Sequence, residues 1–272
     1  MANPYASVVI LSTGQAPKVM ECLKKQTFQD FEIIFANDRG IVRAMNKALT
    51  VAKGEIIVRI DDDVEMPERW LGELLRQFEN PYVVGTTGPT FVKPELRKNR
   101  DSIRYAENPK GVLRWLYDGN KFKPGGIRKS GCVSYDSNYK ERIYSKSGWW
   151  WGYYYKCDHL EGTNWAMRKE LIFQVGGFDE DFDGVAEWFD TDVEQKVLKL
   201  DKIYMLAYNP DAYLYHNLEK GEHYNDRFEG FGRIKNFIRF HWRHGRQRFL
   251  NIKFYIYLTI WGGYFVCSRY RS

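Results

Sequence analysis

The chain is poor in cysteine and has no long apolar run. Its four cysteines, Cys22, Cys132, Cys157 and Cys267, stand far apart among 272 residues, and none forms a C-x-x-C pair. This spacing argues against a cysteine-built zinc site and a disulfide scaffold, and reads as separate thiols in a reducing compartment. The longest apolar stretch, Phe254 to Cys267, falls short of the about 20 residues that a membrane-spanning helix needs. Met1 leads directly into a predicted strand at Ala6, with no signal-peptide pattern before it. The expectation is a cytoplasmic protein. An excess of one charge sign is also nearly missing. The net charge of +6 is modest; it favours phosphate-bearing ligands or an anionic surface, and no nucleic-acid partner is expected.

Aromatic residues, in contrast, are plentiful. They make up 17% of the chain, roughly twice the usual share. Aromatics at this density fill cores, stack on sugars and bases, or sit at a membrane interface.

Strand and helix patterns alternate through roughly the first 90 residues. Ala6 to Leu11, Phe31 to Ala36 and Glu55 to Ile60 are short apolar runs, as expected of buried strands. Tyr82 to Gly85 is a fourth. Between them, Lys18 to Lys25 reads as a helix. Ile41, Ala44, Met45, Ala48, Leu49 and Ala52 recur at helical spacing up to Gly54, and Trp70, Leu71, Leu74, Leu75 and Phe78 mark another helix. The alternation predicts right-handed βαβ units in an α/β, Rossmann-like sheet whose ligands bind at the C-terminal strand ends. From Thr90 to Asp158 the pattern breaks into loops and short strands rich in basic and aromatic residues, including Trp149, Trp150 and Trp151. Regularity returns at Gly162, with helices from Lys169 to Val175 and Thr191 to Leu200 and a strand from Ile203 to Tyr208. The expected organisation is a catalytic domain over 1–222, made of a nucleotide-binding half (1–90) and an acceptor-side half (91–222), followed by a basic and aromatic helical extension over 223–272.

Asp61, Asp62 and Asp63 follow directly on the third strand. Three carboxylates there repel one another unless a cation is present, and oxygen ligands of this kind suit Mg²⁺ or Mn²⁺. The alternative is a solvated acidic turn. Asn37-Asp38 ends the second strand, either as an acceptor for a base or ribose or as an ordinary turn. Asp190 and Asp192 begin a predicted helix, as capping residues or as a general base. His216 follows a Tyr-Leu-Tyr strand pattern and is structural or a further metal ligand.

In order and spacing these segments resemble the GT-A fold, family 2 glycosyltransferases, over residues 6 to 220. Gln26-Thr27-Phe28 with Asp30 to Ile34, and Gly40 through Asn46 to Gly54-Glu55, are similar to that family's entry motifs. Ile60 to Val64 resembles its DxD strand end. Gly162 to Arg168 resembles its G-x-N-x-x-x-R segment. Val175 to Phe182 resembles VGGFDE-x-F, and Asp190-Thr191-Asp192 stands at its ED-x-D segment. Two departures are visible: the first strand runs into Leu11-Ser12-Thr13-Gly14, and Phe189 stands where the family carries Glu.

The resemblance implies a mixed GT-A sheet flanked by helices, with the helical extension behind it. It implies a donor site of Ser12, Asp38, Asn46, Asp61 and Asp62, and a Mn²⁺ or Mg²⁺ site of Asp63, Asp61 and His216. Asp190 is the implied catalytic base, with Asp192 as the alternative. Asn164 and Asp192 fall on the acceptor side, where the aromatic segment adds Trp150. The implied reaction moves a sugar from a UDP- or GDP-linked donor to a glycan or lipid-linked hydroxyl by single displacement, with inversion. The rival classes are a nucleotidyltransferase, disfavoured because Gly14 alone stands in place of a glycine-rich loop, and a non-catalytic membrane- or glycan-binding protein. Arg227, Arg233, Lys235, Arg239, Arg243, Arg246, Arg248 and Lys253, set against the single acid Glu229, precede the aromatic Phe254 to Phe265 run. This segment is expected either to touch the inner face of a membrane or to pack on the domain.

Overall fold

The structure, a computed structural model, describes residues 3–12, 14, 16–92, 133–134, 155–157, 159–184, 186–217, 230–245 and 259. The chain opens with β1 (Ala6–Leu11), α1 (Pro17–Lys24), β2 (Phe31–Ala36), α2 (Ile41–Val51) and β3 (Ile56–Asp61). It continues through β4 (Val64–Glu65), α3 (Trp70–Leu75), a 3₁₀ turn at Arg76–Glu79, β5 (Val83–Thr87) and β6 (Thr90–Val92). The short strands β7 (Val133–Ser134) and β8 (Tyr155–Cys157) precede β9 (Asn164–Arg168) and α4 (Lys169–Gln174). Then come α5 (Phe189–Leu198), β10 (Met205–Tyr208), β11 (Leu214–His216) and α6 (Gly230–Gly245).

Among the described residues the main sheet has seven strands in the order β2-β1-β3-β9-β5-β10-β8. The first three are parallel, as the alternating pattern predicts. β9 enters antiparallel between β3 and β5. The sheet is therefore mixed. A smaller sheet, β4-β11-β6-β7, stands beside it.

Side chains alternate across the strands, so each strand feeds two cores. Val9, Ile57, Val84 and Met167 pack on one face with α2, α4 and α5. Val8, Ile10, Ile56, Val58 and Ile60 pack on the other with α1 and α3. β2 ends the described sheet and is only half-buried, with Phe35 exposed. Gly54 serves close approach rather than a left-handed helix end: a Cβ there would lie 2.5 Å from the backbone of Ala6 and Ser7. The helix before it ends at an extended Ala52.

The described part of the C-terminal extension packs into the hydrophobic core. Phe240 of α6 is fully buried in the same cluster as Phe182 and Phe189, a burial worth about 1.5–3 kcal/mol. The Asn236 amide donates to the Phe182 carbonyl at 2.9 Å. Arg239 pairs with Asp181 at 2.6 Å, and Arg243 reaches Asp179 at 2.6 Å and Asp192 at 2.8 Å. Burial alone would raise the Asp192 carboxyl; His244, Lys196 and Arg243 instead hold it down to about 2. Burial keeps His244 below its usual value, so the neutral ring donates from Nε2 to Asp192 and Nδ1 accepts from Lys199 at 2.8 Å. No helix among the described residues is long and apolar enough to cross a membrane.

Candidate active site

Three parallel strand ends supply the floor of the site. Leu11 is in register with Ala36 on one side and Asp61 on the other. Ser12, Asp38 and the Asp61–Asp63 turn therefore leave the sheet along one edge. The chain then turns back into β4, where Val64 pairs with His216 of β11. That register carries a histidine from far along the chain to the acidic turn.

The His216 Nε2 lies 3.0 Å from Asp63 Oδ1 and 3.8 Å from Asp61 Oδ2. One ligand atom from each of the three residues falls within a span of 4.8 Å, which small side-chain shifts would close around one cation. Asp61 Oδ1 is buried without a hydrogen-bond partner. A buried carboxylate oxygen without a hydrogen bond is costly unless a cation meets it, and the Arg59 guanidinium, 3.7 Å away, does so only in part. Burial disfavours charge on His216, yet its hydrogen bond to Asp63 and the Asp61 carboxylate outweigh this and raise it above its usual value. The same negative field favours a divalent cation. Burial, with Asp63 and Asp61 adding repulsion, also raises Asp62, against a hydrogen bond with Ser12. The donor set of two carboxylates and an imidazole fits Mn²⁺, and hard oxygen ligands also suit Mg²⁺.

Asp190 stands in the first turn of α5. Its Oδ2 accepts from Arg59 Nη1 at 2.9 Å, and its Oδ1 accepts from the Thr191 amide at 2.8 Å. Arg59 shares a strand face with Asp61, as period-2 alternation requires. It is 6% exposed. Its Nη2 lies 3.7 Å from Asp61 Oδ1, and its guanidinium sits 5.0 Å over the Phe189 ring. One buried cation thus joins the acidic turn to the candidate base. Sequence reasoning passed over Arg59; the available signal was a charge in the otherwise apolar run Ile56 to Ile60. Gly162 permits the packing, since a Cβ there would meet Asp190 Oδ2 at 2.7 Å and Arg59 Nη1 at 3.0 Å.

Two further acids, also missed in the sequence, line this region. Desolvation, reinforced by Asp190, pushes Glu161 up to about 8. Glu194 is fully buried and accepts from Trp165 Nε1 at 2.8 Å and the Leu160 amide at 3.1 Å. Burial, then the nearby Asp190, raises it well above the usual carboxylate range.

The remaining candidates separate. Ser12 and Asp62 meet at the floor. Asp38, half-buried, pairs with Lys47 at 3.0 Å. The Asn46 amide exchanges two hydrogen bonds with the Phe178 backbone, each 2.9 Å, tying α2 to the VGGF turn. Asn164 and Asp192, expected on the acceptor side, both lie inside the core. Asn164 is fully buried, accepting from Trp70 Nε1 at 3.0 Å and donating to the Ala212 carbonyl at 2.8 Å. Asp192 is 0% exposed and held by Arg243, His244 and Lys196. Trp150 lies outside the described residues.

Comparison with solved structures identifies the architecture as the GT-A fold. The crystal structure of GalNAc-T7 with UDP, GalNAc and Mn²⁺ superposes with a TM-score of 0.55 at 13% identity, covering 88% of this chain and 47% of that one. The mannosyltransferase PcManGT from Pyrobaculum calidifontis, in complex with GDP-Man and Mn²⁺, gives 0.53 at 14% identity, covering 100% of this chain and 76% of that one. The chain thus spans about half the length of the GalNAc-T7 structure. No curated protein matches the chain significantly. The sequence profile of glycosyl transferase family 2 matches residues 12–172, more than half of the chain, and the chain belongs to that family.

Proposed function

We propose that this protein transfers a sugar from a nucleotide-diphosphate sugar, UDP- or GDP-linked, to a hydroxyl of a glycan or lipid-linked acceptor, with inversion. The observation that carries the reading is the continuous chain from the Asp61–Asp63–His216 cluster through Arg59 to Asp190. Asp61, Asp63 and His216 would hold a divalent cation. When bound there, such a cation supplies positive charge against a departing diphosphate. Ser12, Asp38 and Asp62 stand on the strand ends where the nucleotide would lie. Asp190, oriented by Arg59 and the Thr191 amide, accepts the proton of the attacking hydroxyl. Attack from the face opposite the leaving group inverts the anomeric centre in one displacement, and no covalent intermediate on the protein is needed. Family membership speaks for sugar transfer over nucleotide-sugar synthesis.

The test is a thermal-shift screen of UDP, GDP, CDP and dTDP with and without Mn²⁺, followed by release of nucleoside diphosphate from the matching sugar donor. One nucleotide raises the melting temperature only with metal present, because ligands of the folded state stabilise it. No shift with any nucleotide and no release would refute the reading.

Peripheral attachment to the inner face of a membrane belongs to the same proposal. Ile238 and Trp242, one helical turn apart on α6, are 40% and 56% exposed, and Lys235 is exposed beside them. Arg239 and Arg243 are engaged by acids of the catalytic domain, so the remaining basic residues carry the attraction, about 1 kcal/mol each near an anionic surface. Full-length protein is expected to co-sediment with anionic vesicles, more weakly as salt rises, and to ignore neutral ones. Indifference to anionic vesicles would count against attachment.

A further inference from the structure

We propose that α6 is a positioning element of the active site, in which Phe240 holds the left-handed turn that aims Asp190. This rests on the reading of Asp190 as the group that takes the acceptor proton.

The turn before Asp190 is strained. Ala186 has φ 54° and Trp188 has φ 75°, and neither is glycine. Side chains seldom adopt this region, and the conformation persists only where surroundings over-determine it. Trp188 is the residue from which α5 starts, two positions before Asp190. Its ring stacks on Phe240 of α6, with centroids 4.8 Å apart and planes at 26°. Phe240 itself is fully buried.

The same helix also grips the chain just after Asp190. Asp192 accepts from Arg243 and from His244, each at 2.8 Å, and the Asp192 amide donates to the Trp188 carbonyl at 2.8 Å. α6 therefore holds the residues two before and two after the candidate base, while Arg59 holds its carboxylate from the sheet side. Phe189 between them is locked against Phe178, with centroids 5.5 Å apart. Placement errors of about 1 Å can cost about 10²-fold in rate, so a clamp on both sides of Asp190 bears directly on turnover. The family match ends at residue 172, before both α5 and α6.

The variant Phe240→Leu keeps an apolar side chain and removes the ring stack. In the full chain it is expected to lower kcat by about 10- to 100-fold, with the donor KM and the nucleotide-induced thermal shift changed less than about twofold. Phe240→Tyr, which keeps the ring, should restore most of the rate. Amide exchange over residues 186–192 should quicken in Phe240→Leu. Unchanged exchange and unchanged kcat in Phe240→Leu would overturn the positioning role. So would a parallel fall of kcat, nucleotide affinity and melting temperature, which marks general packing. Wild-type protein that turns over no donor overturns the functional reading instead, and the exchange measurement then judges the clamp by itself.

Discussion

Asp190→Asn is expected to lower kcat by about 10²-fold or more while nucleotide affinity stays within about twofold, since general-base catalysis contributes about 10²–10⁴-fold. The substitution keeps the shape, but its single amide oxygen can accept from only one of the Thr191 amide and Arg59, which meet Asp190 at 2.8 and 2.9 Å. It removes the charge that, in the proposed mechanism, takes the acceptor proton. A 10²-fold loss corresponds to about 2.7 kcal/mol of transition-state stabilisation. Asp192→Asn is the contrasting variant. Asp192 is a buried anchor for α6, held by Arg243, His244 and Lys196. Its neutralisation leaves Arg243 and Lys196 without their charged partner and should lower the melting temperature first. Steady-state kinetics with the preferred donor, beside thermal melts of both variants, decide the matter. An active Asp190→Asn paired with an inactive but stably folded Asp192→Asn would reverse the assignment.

Asp63→Ala should abolish the Mn²⁺-dependent part of nucleotide binding. Asp63 stands 3.0 Å from His216 and shares with Asp61 and His216 the one cluster of potential metal ligands among the described residues. Its loss leaves Asp61 and His216, two ligands where three converge. Calorimetric titration of UDP or GDP, with Mn²⁺ and then with EDTA, measures the effect. In the wild type, EDTA should reduce affinity to the level of Asp63→Ala, and the variant should not respond to metal at all. Wild-type binding indifferent to EDTA would dismiss the metal from donor recognition.

The two variants probe parts of the site that differed in how readily the sequence disclosed them. Asp61 and Asp63 were legible because they end an apolar strand inside an alternating strand–helix pattern, and such ends carry the ligands of parallel sheets. Asp190 stood out as a candidate through its distance from the VGGFDE segment, and it does lie in the first turn of a helix. Arg59 was not legible in this way. A charge in an apolar run stands out but names no partner, and Asp190, which Arg59 meets, is set by α5, far along the chain. Glu161 and Glu194 were hidden for the same reason: each owes its raised proton affinity to burial and to Asp190, neither of which a local pattern records. The surroundings of Asn164 were hidden because a motif position gives a residue type and no direction; here the amide turns inward to Trp70 and Ala212.

The sequence by itself determined the strand–helix alternation of the first half, because hydrophobic periodicity is a local property that each segment carries alone. It also determined which strand ends would bear carboxylates. The tertiary structure decided what depends on partners distant in the chain. β9 enters antiparallel between β3 and β5 and makes the sheet mixed. The pairing of β4 with β11 brings His216 to Asp63. And α6, whose basic residues suit an anionic surface equally well, closes on Asp179, Asp181 and Asp192. A cationic helix satisfies either kind of anion; only the folded domain holds three carboxylates and a buried aromatic cleft in the geometry that this helix matches.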